Sequence, residues 1–363
     1  MYSERLQRLQ RSVALHKLDF FLTTHLPNIR YLTGFTGSAG VLIIEAGGRN
    51  VFITDGRYKQ QAREQVERVT VTIAKKAPLV AVAEWLRSRV GQQGKTSALG
   101  IEPAHLTVAD RDRLAAVLAH KIRIKSAPPL VEQQRKLKDQ TEIDLIREAV
   151  LTGAALFDTL LNAIRPGRKE NAVAAELEYA ARKAGCEGMS FETIIASGSR
   201  SALPHGRASD ESISRTGFVV CDFGVILAGY CSDMTRTVYV GQATREARNF
   251  YAAVREAQLA GIDAVRPGMP VAEVDRVGRS VLKKAGLGRY FTHSTGHGVG
   301  LEIHEAPRIA SDQAEILQPG MVITIEPGAY VPGKWGVRVE DMVVVTERGH
   351  EVLTPTSKDL ICI

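Results

Sequence analysis

Asp222, Asp233, His297, Glu326 and Glu340 are the residues of this chain best suited to chemistry. Each sits in a short motif: VVCDFG, CSDMTRT, STGHGVG, ITIEPG and RVED, in that order. Four carboxylates and one imidazole are what a pair of divalent cations needs, with two carboxylates left over to bridge. Two such cations side by side can activate water and polarise a carbonyl, so the set points to metal-assisted hydrolysis.

The spacing says how these groups could meet. Asp222 and Asp233 stand eleven residues apart. They lie on a strand ending at Gly224 and a second strand running to Val240, joined by a turn at Leu227-Ala228-Gly229. Opposed strands lie about 4.7–4.9 Å apart, which lets a hairpin offer two carboxylates to one ion. Alone, each aspartate reads as a cap or turn residue. An aspartate inside a buried strand is costly unless paired or metal-bound, and the company of the other three ligands favours the metal. His297 is flanked by glycines that let backbone pass close to a packed site. His304 follows seven residues later, and the pair suggests one ligand and one hydrogen-bonding helper. Glu326 ends the strand Val322–Glu326. Arg338 and Glu340 alternate along a strand and so share one face, which lets Arg338 orient the carboxylate or a substrate.

The elements that must carry these groups fall into two domains, 1–130 and 131–363. In the first, Leu6, Leu9, Val13 and Leu18 give residues 1–20 a helical stripe. A strand follows at Phe20–Thr23. Residues 27–34 read as a loop leading into a short helix. Val41–Ile44 and Val51–Thr54 make a hairpin, and Asp55 caps the next helix. Strands at Val69–Ala74 and Ser97–Ile101 then alternate with helices at Leu79–Val90 and Thr107–Leu118, which defines an α/β domain. Residues 125–139, KSAPPLVEQQRKLKD, break the pattern and read as a linker. A long helix starts near Thr141, with Ile143, Ile146, Val150, Phe157, Leu161 and Ile164 along one stripe.

The second domain repeats itself. Residues 163–185, AIRPGRKENAVAAELEYAARKAG, align without gaps to 264–286, AVRPGMPVAEVDRVGRSVLKKAG, with eight identities over 23 positions. In each copy Arg-Pro-Gly ends one helix and a second helix runs to a terminal glycine. The reading is a duplicated α+β half-domain with a pseudo-twofold axis, each half placing its metal-ligand strands after its second helix.

Composition sets bounds. The chain has 363 residues, 44% hydrophobic and 24% charged, which is ordinary for a globular protein. The N-terminus lacks the apolar core of a signal peptide, and no run is long enough to span a membrane, so a cytoplasmic protein is expected. The net charge is +7, but Lys and Arg are spread along the chain without a nucleic-acid-binding motif, so a solvated basic surface is the reading. Cys186, Cys221, Cys231 and Cys362 contain no C-x-x-C pair and read as thiols, with a Cys221–Cys231 disulfide as the alternative.

The motifs VVCDFG, CSDMTRT, GHGVGLEIHEAP, ITIEPG and RVED, in this order over residues 135–363, resemble the pita-bread metallopeptidase family, which includes aminopeptidase P, prolidase and methionine aminopeptidase. YLTGFTGSAG and TDGRY resemble the N-terminal domain of Xaa-Pro peptidases and creatinase. The resemblance implies a pita-bread catalytic domain. Asp222, Asp233 and Glu340 would be ligands, with Asp233 and Glu340 bridging. His297 and Glu326 would bind the second metal. Glu326 would also move the water's proton. His205, in LPHG, and His304 match catalytic helper histidines, His304 at the scissile carbonyl. His293 matches a residue lining the proline pocket, and Tyr330 and Arg338 match residues that brace the site and bind substrate. The implied cofactors are two divalent ions, Mn²⁺ first, with Co²⁺ or Zn²⁺ as alternatives. The implied activity is an Xaa-Pro aminopeptidase acting on proline-containing peptides. The alternatives are an Xaa-Pro dipeptidase, then methionine aminopeptidase or a catalytically dead binding module. Family members are commonly oligomers, so a homodimer is expected.

Overall fold

The computed structural model describes residues 1–90, 96–118 and 121–363. The chain divides into two compact units, Met1–Arg135 and Lys136–Ile363.

Unit one is built on a six-stranded sheet of order β4-β3-β2-β1-β5-β6. Its strands are β1 (Phe20–Thr23), β2 (Val41–Glu45), β3 (Val51–Asp55), β4 (Thr70–Ala74), β5 (Ser97–Ile101) and β6 (Ile122–Ser126). β1, β2 and β3 pair antiparallel, whereas β4, β5 and β6 join by parallel pairing. β1 to β3 are apolar on both faces because both are covered. Phe20, Leu22, Val41, Ile43 and Ile53 meet Val82, Ala83 and Leu86 of helix α4 (Pro78–Val90) and Leu114 and Leu118 of α5 (Val108–Leu118). The alternating residues Phe21, Leu42, Ile44 and Phe52 are equally buried on the other face, where α1 (Tyr2–Leu15) runs over β2.

Sequence and structure differ at three places here. Residues 27–34 are helix from the start: α2 spans Leu26–Thr33, because Pro27 is tolerated in a first helical turn. Asp55 does cap, through its side chain to the Arg57 N–H, but the segment it opens is a 3₁₀ turn, Gly56–Tyr58, before α3 (Lys59–Gln65). The expected linker is structured. Its first residues belong to β6, and Leu130–Arg135 form helix α6, with Leu130 and Val131 buried. Pro128-Pro129 end the strand and start this helix rather than releasing the chain.

Unit two shows the duplication. The expected long helix is two, α7 (Gln140–Ala155) and α8 (Phe157–Ala163), separated at Leu156. Asp139 and Glu142 form a reciprocal capping box at the start of α7. After α8 comes α9 (Glu170–Lys183); in the second half α10 (Arg245–Asp263) is followed by α11 (Val271–Lys284). Gly167 and Gly268, which follow the two prolines, both adopt φ +82°, a conformation that favours glycine. Gly167 N–H bonds Ile213 O and Gly268 N–H bonds Leu317 O; Ile213 N–H returns to Arg168 O, and Leu317 N–H to Met269 O. The two halves therefore repeat at the level of individual backbone bonds.

Each half then supplies strands. The first contributes β7 (Gly188–Met189), β8 (Ile194–Ser197), β9 (Gly217–Phe223), β10 (Val225–Leu227), β11 (Tyr230–Cys231) and β12 (Met234–Val240). They form the sheets β12-β9-β8 and β11-β10-β7. The second contributes β13 (Gly296–Gly298), β14 (Glu305–Ile309), β15 (Val322–Ile325), β16 (Gly328–Val331), β17 (Trp335–Arg338), β18 (Asp341–Val345) and β19 (His350–Val352). These form the sheet β14-β13-β15-β18-β19 and the ribbon β16-β17. No disulfide joins Cys221 to Cys231, which pack into separate apolar clusters. Among the described residues no helix is long and apolar enough to cross a membrane.

Candidate active site

Asp222 lies near the end of β9, directly opposite Thr235 of β12. Asp233 is therefore diagonal to Asp222, not opposite it as the hairpin pattern suggests. It occupies the break between β11 and β12, two residues before Thr235 and so on the same side of the ladder. The second half brings His297 on β13, Glu326 immediately after β15, and Glu340 in the link between β17 and β18. Glu326 N–H bonds Thr295 O, which fixes where its side chain departs from the sheet. A Cβ on Gly296 would overlap the Thr324 carbonyl, so glycine is what lets β13 bring His297 this close.

All five groups line one cavity of about 620 Å³, together with His205, His293, His304 and Arg338. Ligand atoms of Asp233, His297 and Glu340 lie within 4.8 Å of one another. His297 Nε2 stands 3.6 Å from Asp233 Oδ2 and 3.3 Å from Glu326 Oε1. His297 Nδ1 contacts Gly298 O at 3.0 Å. A carbonyl can only accept, so Nδ1 carries the proton and Nε2 turns its lone pair toward the carboxylates. Burial holds His297 below the usual imidazole range, so it stays neutral.

The carboxylates are arranged at electrostatic cost. Burial, then the charges of Glu340, Asp222 and Glu326, pushes Asp233 well above the usual carboxylate range. Burial, then Glu326 and Asp222, does the same to Glu340. Glu326 is pushed up to about 7, chiefly by burial. Oδ1 of Asp222 is buried without a hydrogen-bond partner. Crowded buried carboxylates with an unsatisfied oxygen and an aimed imidazole lone pair are a donor set fitted to divalent cations, which would replace the protons the cluster otherwise holds.

Arg338 is the cation inside this group, 3% exposed. Sequence spacing paired it with Glu340. Instead its fork spreads over Asp222 Oδ2 at 2.5 Å, Tyr330 Oη at 2.7 Å, Thr235 Oγ1 at 3.0 Å and Pro204 O at 3.0 Å. The strand ends at Arg338, yet Arg338 and Glu340 still turn to the same cavity. Thr235 Oγ1 passes the connection on, donating to Glu340 Oε2 at 2.7 Å. Tyr330 lies behind the cavity wall, its phenol meeting His293 Nε2 at 3.0 Å. His293 Nδ1 donates to Ser294 O at 2.8 Å, and Arg338 already donates to Tyr330, so the Tyr330 proton goes to His293 Nε2. Both imidazole nitrogens are thereby used. Burial, then Arg338, pushes His293 down to about 3. His304 packs edge-on to His297, centroids 4.4 Å apart, and is also held low by burial and then by His297.

Sequence reasoning missed several supports. Thr324 Oγ1 accepts from His297 N–H and contacts Glu326 Oε1 at 3.2 Å. Arg236, 2% exposed, donates to the Glu340 carbonyl and to Asp341 Oδ1. The signal for Thr235 was present, since Asp233, Thr235 and Thr237 alternate along CSDMTRT and Thr237 holds Arg338 O.

A duplicated α+β domain with five such groups converging from both halves defines a metallohydrolase of the pita-bread type. The comparisons agree with this class. Residues 144–347 match metallopeptidase family M24, and residues 5–137 match the creatinase/prolidase N-terminal domain. The chain belongs to metallopeptidase family M24, whose members use divalent metal ions. An Xaa-Pro dipeptidase of Pyrococcus furiosus is 36% identical over 99% of both chains. A solved Xaa-Pro dipeptidase from Bacillus anthracis superposes with TM-score 0.94 at 40% identity, covering 100% of each chain. An X-Pro aminopeptidase from Thermotoga maritima gives TM-score 0.88 at 34% identity, covering 97% of this chain and 100% of that one.

Proposed function

We propose that this protein is an Xaa-Pro dipeptidase acting through two divalent cations, with manganese preferred by the oxygen-rich donor set over cobalt or zinc. Asp222, Asp233, His297, Glu326 and Glu340 would hold them, with Asp233 and Glu340 shared. The observation that carries this is the convergence of the five groups in one cavity with three histidines on its walls. Full-length similarity to enzymes named Xaa-Pro dipeptidase supports that reading over the aminopeptidase expected from sequence. Arg207 and Arg308 also line the cleft, cations suited to the carboxylate of a short substrate.

Bound cations supply the Lewis acidity that makes water nucleophilic near neutral pH and polarises the scissile carbonyl. The residues do the rest. Glu326 sits in surroundings that favour its proton up to about 7, and a carboxyl so placed can take a proton from water and return it to the leaving nitrogen. His304, neutral beside His297, can donate to the carbonyl oxygen as charge develops there, and His205 faces the same cavity as a second donor. His293, with both nitrogens used and no charge, lines the cavity as an uncharged wall suited to a proline. A proline amide has no N–H, so that wall need not provide an acceptor.

The test compares Ala-Pro with Ala-Pro-Ala, with Met-Ala-Ala as control, on Mn²⁺-loaded protein. Cleavage of Ala-Pro alone is expected. Efficient cleavage of the tripeptide at Ala-Pro would return the aminopeptidase reading, and cleavage of Met-Ala-Ala alone would discard both. His304→Ala is expected to keep its metal while turnover falls about 100-fold, the usual loss for one oxyanion donor; loss of metal would make His304 a ligand instead. A homodimer is proposed as well, and light scattering at the mass of one chain would exclude it.

A further inference from the structure

We infer that Glu170 and Asp275 are positioning residues, each holding one of the cleft histidines, His205 and His293, in place through an arginine. Both carboxylates are 0% exposed, and burying a carboxylate is costly unless donors surround it.

Glu170 opens α9. It accepts from Ser197 N–H at 2.8 Å, Arg200 Nε at 3.0 Å, Ser209 N–H at 3.2 Å and Ser209 Oγ at 2.7 Å. Arg200 then donates from Nη2 to Arg207 O at 2.8 Å. These contacts tie down both ends of the segment 197–209, whose middle carries His205. Arg338 holds the same segment from the cavity side through Pro204 O.

Asp275 lies one turn into α11. It accepts from Arg279 Nε at 2.7 Å and from Thr295 Oγ1 at 2.7 Å. Arg279 donates to Phe291 O at 3.1 Å and to His293 O, with its guanidinium 4.1 Å from the Phe291 ring centroid. The carboxylate orients the arginine, and the arginine grips the peptide of His293 itself.

The two devices are not copies. In the repeat alignment Glu170 corresponds to Val271, and Asp275 to Ala174. Each half has arrived separately at a buried acid on its second helix, an arginine, and a carbonyl in a loop carrying a histidine. Carbonyl anchoring fixes where an imidazole starts, and a displacement of about 1 Å can cost up to about 100-fold in rate.

The inference rests on the proposed reading that His205 and His293 face substrate, and the experiment separates the two. Full-length, Zn²⁺-loaded protein labelled with ¹⁵N-histidine is compared as wild type, Glu170→Gln and Asp275→Asn. Imidazole signals are assigned with His205→Gln and His293→Gln. Glu170→Gln is expected to move or broaden the His205 signals and leave His293 in place; Asp275→Asn is expected to do the converse. With Ala-Pro, Asp275→Asn should raise KM about tenfold with a smaller change in kcat, because His293 is placed at the proline. Arg200→Lys and Arg279→Lys, which keep the charge but cannot bridge acid and carbonyl, repeat the pattern should either acid variant fail to fold. Signals that move together in both variants, or in neither, overturn the inference. Wild-type protein inactive on Ala-Pro would instead overturn the substrate reading and leave the spectra to decide the positioning claim.

Discussion

Asp233→Ala and Glu340→Ala are each expected to lose bound divalent metal and hydrolysis together, with kcat/KM for Ala-Pro down by about 1,000-fold or more, the scale of removing several kcal/mol of metal-derived stabilisation. The reason lies in where the two carboxylates sit. Asp233 and Glu340 come from opposite halves of the duplicated domain, yet with His297 they offer ligand atoms within 4.8 Å of one another. Among the described residues neither forms an ion pair with a lysine or arginine, and the hydrogen bonds of the nearby Arg338 go to Asp222, Tyr330, Thr235 and Pro204. Each would therefore be shared between ions. Metal content by atomic emission, measured beside activity on the same samples, checks this. Retained activity in either variant would remove the two-ion arrangement, and full metal content with lost activity would give that residue a role other than ligand.

The same geometry shows what the sequence could and could not disclose. The five groups that meet in the cavity, the repeat and the α/β alternation were all legible because each depends on local pattern: residue identity, Arg-Pro-Gly spacing, apolar periodicity. Two details at the site were not legible. Arg338 and Glu340 do turn to the same cavity, but they meet through Thr235 Oγ1 rather than directly, and Asp233 stands diagonal to Asp222 because it lies between β11 and β12 rather than opposite it in a hairpin. The supporting contacts were not legible at all. Glu170 reads as an ordinary acidic residue in a first helical turn and Asp275 as one polar position on an amphipathic helix. Only the fold shows both at zero exposure with arginines over them. The linker at 125–139 does hold the boundary between the two units, at Arg135 and Lys136, but most of it is structured, because one proline can follow a strand and the next precede a helix.

Metal-free protein is expected to lose stability as pH rises above about 7.5, where the histidines of the unfolded chain are about nine-tenths neutral. Asp233, Glu326 and Glu340 all hold their protons more tightly in the folded chain than an unfolded carboxyl does, Glu326 up to about 7 and the other two well above the usual carboxylate range. Folded pKa values raised in this way favour folding while pH is below the unfolded value, and the benefit is lost as pH rises through the folded one. His293, His297 and His304 are shifted the opposite way, since burial disfavours their charge. Their contribution is lost as pH falls below about 6.5, so on the acid side they offset the carboxyls. Above about pH 7.5 the carboxyls act alone. One proton difference is a slope of about 1.4 kcal/mol per pH unit, so each carboxyl still protonated in the folded chain should lower the metal-free Tm by roughly 3 °C per pH unit between pH 7.5 and 8.5. Mn²⁺ should abolish the slope, because the cations take over the charge that the protons neutralised. Thermal scans of chelator-treated and Mn²⁺-loaded protein across this range check the sign. A metal-free Tm that stays level or climbs would mean that the carboxylates share their charge with donors rather than awaiting a cation, and the cluster would then be a structural network instead of a metal centre.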